Sequence, residues 1–239
     1  MVGKNEELVV IMPAYNEEHA LPATVAKWVS AIERLNIGYA FHLYDDGSRD
    51  RSHEVLERLS KHYPKLIVHS KQNTGHGPTI LQGYRENSNF SYILQVDSDD
   101  EIQPDYFERF WINRASFDLQ IGRRIFEKRS PIRVIISSIS RMIIRAFYGT
   151  GVGDVNCPFR LMRTDVFRGL FFSLPSDTFA PNIIIAGYAC KKKMSIRQHD
   201  VHASLRSTGT VSLRHFKLLR AAMQSMLQTV RFRFKQGDW

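Results

Sequence analysis

The sequence predicts an α/β fold built on a mostly parallel sheet with flanking helices. Three observations predict it: short apolar runs alternate with amphipathic helical segments through the first half, each run ends in a polar or glycine-bearing loop, and carboxylates gather just after the runs. Leu8-Val9-Val10-Ile11-Met12 reads as a first strand, stopped by Pro13. A helix is expected from Leu21 to Leu35, and a second strand from Tyr39 to Tyr44. Asp50 can cap a helix running to about Lys61, its carboxylate accepting first-turn amides. Leu66-Ile67-Val68 is a third strand, followed by the loop Asn73-Thr74-Gly75-His76-Gly77. Pro78 then starts a further helix, and Tyr92 to Val96 is the fourth strand.

In sheets of this kind ligands sit beyond the carboxyl ends of the strands. The polar groups fall there: Asn16-Glu17 after the first strand, Asp45-Asp46 after the second, Asp97-Ser98-Asp99 after the fourth. Residues two apart on an extended backbone point the same way, so Asp97 and Asp99 share a face. Desolvating two like charges together is costly unless a cation compensates them. Hard oxygen donors suit Mg2+ or Mn2+, which would in turn bind nucleotide phosphates.

The chain has 239 residues and is 43% hydrophobic, enough for one sizeable core. The first seven residues lack the apolar stretch of a signal peptide, and no run of about 18 apolar residues suits a bilayer. Cys157 and Cys190 make no disulfide framework, so a reducing cytoplasm is the expected setting. The net charge of +9 hides an asymmetry: residues 1–120 carry 12 Lys/Arg against 18 Asp/Glu, and residues 121–239 carry 21 against 6. A basic half suggests polyanionic partners: nucleic acid, an anionic membrane or phosphorylated substrates.

Two segments of that half look amphipathic. From 131 to 148, Arg133, Ser137, Arg141 and Arg145 make a polar stripe opposite Ile135, Ile136, Ile139, Met142, Ile143 and Phe147. From 212 to 234, Arg214, Lys217, Arg220, Gln224, Gln228 and Arg231 oppose an apolar face. Such helices either cover a core or lie on an anionic membrane interface. No linker divides the halves, so one domain over 1–239 is expected.

These residues, in order, resemble family 2 glycosyltransferases, and within them the polyprenyl-phosphate glycosyltransferases. Ile11-Met12-Pro13-Ala14-Tyr15-Asn16-Glu17-Glu18 is similar to the family's nucleoside-binding start. Asp45-Asp46-Gly47-Ser48-Arg49-Asp50 is similar to its second motif, where an aspartate contacts the base. Asn73-Thr74-Gly75 resembles its Asn-x-Gly loop, Asp97-Ser98-Asp99 its metal-binding Asp-x-Asp, and Glu101 a further metal-ligating position. Asp154 to Arg163 resembles the Asp-x-x-x-Gly-Phe-Arg-Leu segment, with Pro158 in place of the glycine. Arg206-Ser207-Thr208-Gly209 resembles the Arg-x-x-Gly of a flexible loop. The resemblance implies a GT-A (Rossmann-like) fold, with 1–120 as the nucleotide- and metal-binding half and 121–239 as the acceptor side. It implies nucleotide contacts from Pro13, Tyr15, Asn16, Glu17, Asp45, Asp46, Asn73 and Gly75. Asp97, Asp99 and Glu101 would hold Mg2+ or Mn2+, and Arg206 would clamp the diphosphate.

The expected reaction is an inverting transfer from a UDP- or GDP-linked sugar. With a polyprenyl-phosphate acceptor no strong base is needed, and Arg133, Arg141, Arg145 and Arg160 are candidates to hold its phosphate. With a saccharide hydroxyl acceptor a base is required, and Asp154 is the best available carboxylate. A location on the cytoplasmic face of a membrane, held peripherally, follows from the basic half. Nucleic-acid binding is the rival from another class; recognition-helix, zinc-spacing and aromatic RNA-binding patterns are missing from the sequence. A sugar nucleotidyltransferase would want a glycine-rich basic loop where this chain has Pro13-Ala14-Tyr15-Asn16-Glu17.

Overall fold

The computed structural model describes residues 7–125 and 152–204. Their centre is a seven-stranded sheet in the order β3-β2-β1-β4-β6-β5-β7. The strands are β1 (Leu8–Ala14), β2 (Tyr39–Asp45), β3 (Leu66–Ser70), β4 (Tyr92–Gln95), β5 (Leu119–Ile125), β6 (Arg160–Arg163) and β7 (Ile196–His202). β6 runs antiparallel to both β4 and β5, and every other pairing is parallel. The mostly parallel sheet is therefore present, with one reversed strand the sequence reading did not separate.

β1 is buried along its whole length, which is why it reads as a continuous apolar run rather than an alternating one. Pro13 does not end it; Pro13 pairs in register with Tyr44 and Ala14 with Asp45. Ile11 faces β4, where its carbonyl accepts from Val96, whereas the Ala14 carbonyl accepts from Asp46 beside β2. Pro13 has the parity of Ile11, so its missing N–H points to the side where β4 has already stopped. A proline costs no ladder bond there.

The helices are α1 (Leu21–Glu33), α2 (Ser52–His62), α3 (His76–Glu86), α4 (Phe107–Ile112), α5 (Thr164–Ser173) and α6 (Pro181–Lys191). α1 buries Leu21, Thr24, Val25, Trp28, Val29 and Ile32, the three-and-four spacing of one helical face. Trp28 is the anchor: its ring meets Phe159 edge-on at 5.4 Å and Phe107 at 6.3 Å. α1 packs against α2 and α4, while α3 packs on β1 and against α5 and α6. The cap position of α2 is Arg51, not Asp50; Asp50 stands one residue before it and accepts from the Ser52 amide at 2.9 Å.

Candidate active site

The register of the parallel strands sets Ala14, Asp45 and Ser70 side by side at their carboxyl ends. The loops that leave these ends are sewn together by hydrogen bonds. Asn16 adopts a left-handed backbone (φ 56°); its amide donates to Ser48 Oγ at 3.0 Å and its side-chain oxygen accepts from Arg49 at 2.7 Å. The Glu17 amide donates to Ser52 Oγ at 2.7 Å, and the Glu18 amide to Asp50 at 3.2 Å. Tyr15 is half-buried, Asn16 and Asn73 are exposed, and Pro13 and Glu17 are buried.

The two adjacent aspartates are both buried but do different work. Asp45 accepts from the Ser48 amide at 3.0 Å, with His53 Nδ1 at 3.5 Å. Asp46 holds the next loop: one oxygen accepts from Lys71 Nζ at 2.5 Å and Thr74 N at 2.9 Å, the other from Gly75 N at 2.8 Å. Burial alone would raise the pKa of Asp46, but Lys71 and these amides outweigh it and the pKa is lowered. Gly47, at φ +70°, lets the second loop pass the third; a Cβ there would lie 2.8 Å from the Asn73 amide nitrogen.

Asp97, Asp99 and Glu101 line one pocket with Trp28, Pro158 and Phe159. Asp97 accepts on Oδ1 from His76 Nε2 at 3.0 Å and Gln95 Nε2 at 3.2 Å. Burial opposes its ionisation, yet the charge and hydrogen bond of His76 prevail and its pKa is lowered. His76 answers in kind: the partial withdrawal of its ring from water would lower its pKa, and Asp97 raises it. Asp99 shows the opposite balance, its pKa pushed up to about 7 by burial and then by the charges of Asp97 and Glu101. A divalent cation would relieve that repulsion, and the donors are hard oxygens, so the residues fit Mg2+ or Mn2+. Among the described residues, no three His, Cys, Asp or Glu side chains are already grouped to hold an ion by themselves. Asp100 turns away at φ 56° and pairs with Lys27 at 2.7 Å, so it leaves the acidic run.

Glu101 and Asp154 meet at a residue the sequence reading missed, Arg124 at the end of β5. Arg124 donates to both oxygens of Asp154, at 2.8 and 3.1 Å, and to Glu101 at 3.3 Å. Asp154 is thus engaged on both oxygens by a guanidinium. Arg160 requires a correction. It is fully buried, and its guanidinium donates to the carbonyls of Val155, Cys157 and Asn182, so it ties the segment before β6 to α6 and presents nothing to an acceptor phosphate. Arg133, Arg141, Arg145 and Arg206 lie outside the described residues, as do both amphipathic segments. Segment 119–125 does carry a readable signal for Arg124, since Leu119, Gln120 and Ile121 alternate before it. His76 was in view as part of the glycine loop, but nothing in a single sequence pairs it with Asp97.

The family model described as Glycosyl transferase family 2 matches residues 9–171. The chain is 26% identical over 222 residues to the undecaprenyl-phosphate 4-deoxy-4-formamido-L-arabinose transferase of Pectobacterium carotovorum, covering 92% of this chain and 66% of that protein. It is 27% identical over 220 residues to the enzyme of the same name from Photorhabdus laumondii, covering 90% and 65%. The chain therefore spans about two thirds of the length of these relatives. Among solved structures it is similar to glucosyl-3-phosphoglycerate synthase from Mycobacterium tuberculosis in complex with Mn2+ and UDP-glucose, with TM-score 0.69 at 13% identity over 98% of this chain and 81% of that one. A mycobacterial protein of unstated function gives TM-score 0.71 at 13% identity, covering 98% and 76%.

Proposed function

The chain belongs to glycosyl transferase family 2 and has a GT-A fold, and from that premise we propose that it transfers a sugar, with inversion, from a UDP- or GDP-linked donor to a polyprenyl phosphate. The observation that carries the reading is the placement of Asp45 at the carboxyl end of β2 and of Asp97 and Asp99 just beyond the carboxyl end of β4, the two strands that flank β1 in the sheet. The matched relatives' names, which specify undecaprenyl phosphate, support the acceptor.

Asp97 and Asp99, with Glu101 beside them, would hold Mg2+ or Mn2+; a bound ion of this kind neutralises charge on a departing nucleoside diphosphate. Tyr15, Asn16, Asp45 and Asn73 line the strand ends where the nucleoside would lie, with Asp45 accepting from the base. Asp46 and Glu17 keep those loops in place. Ser204, whose amide donates to the Glu101 carbonyl at 2.9 Å, brings the chain back over the acidic cluster. Arg206, outside the described residues, is the proposed cation for the diphosphate.

The acceptor oxygen would attack the anomeric carbon opposite the nucleotide as the bond to the diphosphate breaks. A phosphate oxygen is already ionised near neutral pH, so no proton has to be removed. The engagement of Asp154 by Arg124 favours this acceptor over a saccharide hydroxyl, since both oxygens of that carboxylate are already taken up by a guanidinium. Arg133, Arg141 and Arg145 are the proposed phosphate-binding cations, at a membrane surface that the chain would approach peripherally from the cytoplasmic side. Among the described residues no helix is long and apolar enough to cross a membrane. The test is transfer from a panel of UDP- and GDP-sugars to undecaprenyl phosphate, with a saccharide acceptor in parallel. Product on the lipid supports the proposal; turnover on the saccharide alone refutes it.

A further inference from the structure

Two donors reach Asp97, and both land on the same oxygen. His76 Nε2 lies 3.0 Å from Oδ1 and Gln95 Nε2 lies 3.2 Å from that atom. A carboxylate only accepts, so His76 Nε2 carries its hydrogen toward Asp97. Among the described residues no hydrogen bond falls on Oδ2, which leaves it for a cation. From this arrangement we infer that His76 is a positioning residue that fixes the Asp97 carboxylate and thereby sets the affinity of the site for a divalent cation. The inference rests on the metal role assigned to Asp97 and Asp99 above.

The imidazole is held by construction. Its predecessor Gly75 sits at φ +94°, a conformation that glycine adopts without steric cost, and the Gly75 amide is pinned to Asp46 at 2.8 Å. Its successor Gly77 lies so close to the Phe179 carbonyl that an added Cβ would stand 2.0 Å from the oxygen. His76 is thus wedged between two constrained positions at the start of α3. Its side chain is 52% exposed, so it fills no core space that would account for its placement. The second donor is fixed as firmly: Gln95 Oε1 accepts from Asn182 at 2.7 Å and lies 2.7 Å from the Tyr84 hydroxyl, all three being buried. Partners that hydrogen-bond a metal ligand orient it, and their loss costs about 10–100-fold in metal affinity.

The experiment titrates Mn2+ into the full chain with UDP or GDP present and follows free Mn2+ by its electron paramagnetic resonance signal. Wild type is compared with H76A, H76Q, H76F and D99A. H76A and H76F are expected to bind Mn2+ about 10–100-fold more weakly, with unfolding midpoints near wild type, while H76Q keeps a donor and recovers part of the affinity. Equal Mn2+ affinity in wild type and H76A overturns the inference and leaves the metal role of the aspartates standing. A wild type that takes up no Mn2+ with either nucleotide overturns that metal role, and this inference with it. Should H76A fail to fold, H76F against H76Q decides: equal affinities contradict the positioning role.

Discussion

Arg124 clasps both carboxylate oxygens of Asp154, at 2.8 and 3.1 Å, with each side chain less than one-fifth exposed. The pair joins the end of β5 to the segment that leads into β6, and the same guanidinium reaches Glu101 beside the acidic pocket. That last contact joins the basic half of the chain to the acidic half.

Removing one member of a buried pair strands its partner's charge. R124A leaves both Asp154 and Glu101 without their guanidinium and should lower unfolding free energy by about 3 kcal/mol. D154N keeps an acceptor for Arg124 and should cost less. Urea denaturation of the two variants checks the order; a larger loss in D154N would contradict it.

Arg160 is expected to behave as a core residue, not as a ligand-binding cation. R160A strands three main-chain carbonyls and should destabilise by roughly 3 kcal/mol, whereas a solvent-facing arginine costs within about 0.5 kcal/mol. Thermal and urea unfolding decide this. A variant of native stability that has lost only lipid-phosphate binding would restore Arg160 to the acceptor site.

Gly77 admits no side chain, because a Cβ would collide with the Phe179 carbonyl. G77A must push the start of α3 away from the 175–180 loop. A destabilisation of about 1–3 kcal/mol is expected, together with weaker Mn2+ uptake because His76 moves with it. G169A is the control, since no atom lies within 4 Å of a Cβ there. Equal stability of the two variants would remove the close contact from the account.

Two histidines give the fold an acid limit. The pKa of His42 is lowered to about 4 by burial and then by its neighbour His69. That of His199, packed on Phe110 at 4.4 Å, is lowered to about 4 by burial and then by Arg109 and Arg197. Unfolded, both would titrate near 6.5. Below that pH the unfolded chain binds more protons than the native one, so stability is intact above about 6.5 and falls as pH drops toward 4. Urea midpoints measured across this window should decline, with a shallower decline in H42F. A flat profile would contradict the neutral state of both rings.

The first half was legible because β1, β2 and β4 are buried on both faces and print as apolar runs, each ending in the polar residues that form the site. The second half hid its strands. β7 contains Arg197, Gln198, His199, Asp200 and His202 and is half exposed, so it offers little apolar pattern to read. β6 is four residues long and begins at an arginine. Arg160 illustrates the limit: a buried guanidinium satisfied by backbone carbonyls has the same letter as one that binds phosphate. His76 and Asp97 are 21 residues apart, and only the fold brings them together.

Asp97 and Asp99 are proposed to serve a nucleoside diphosphate through a divalent ion. Calorimetric titration of UDP and GDP into the full chain, with Mn2+ and then with chelator, tests it most directly. One of the two nucleotides is expected to bind with Mn2+, and chelator and D99A are each expected to abolish that binding. Nucleotide binding of equal strength with and without the metal, unchanged in D99A, would contradict it.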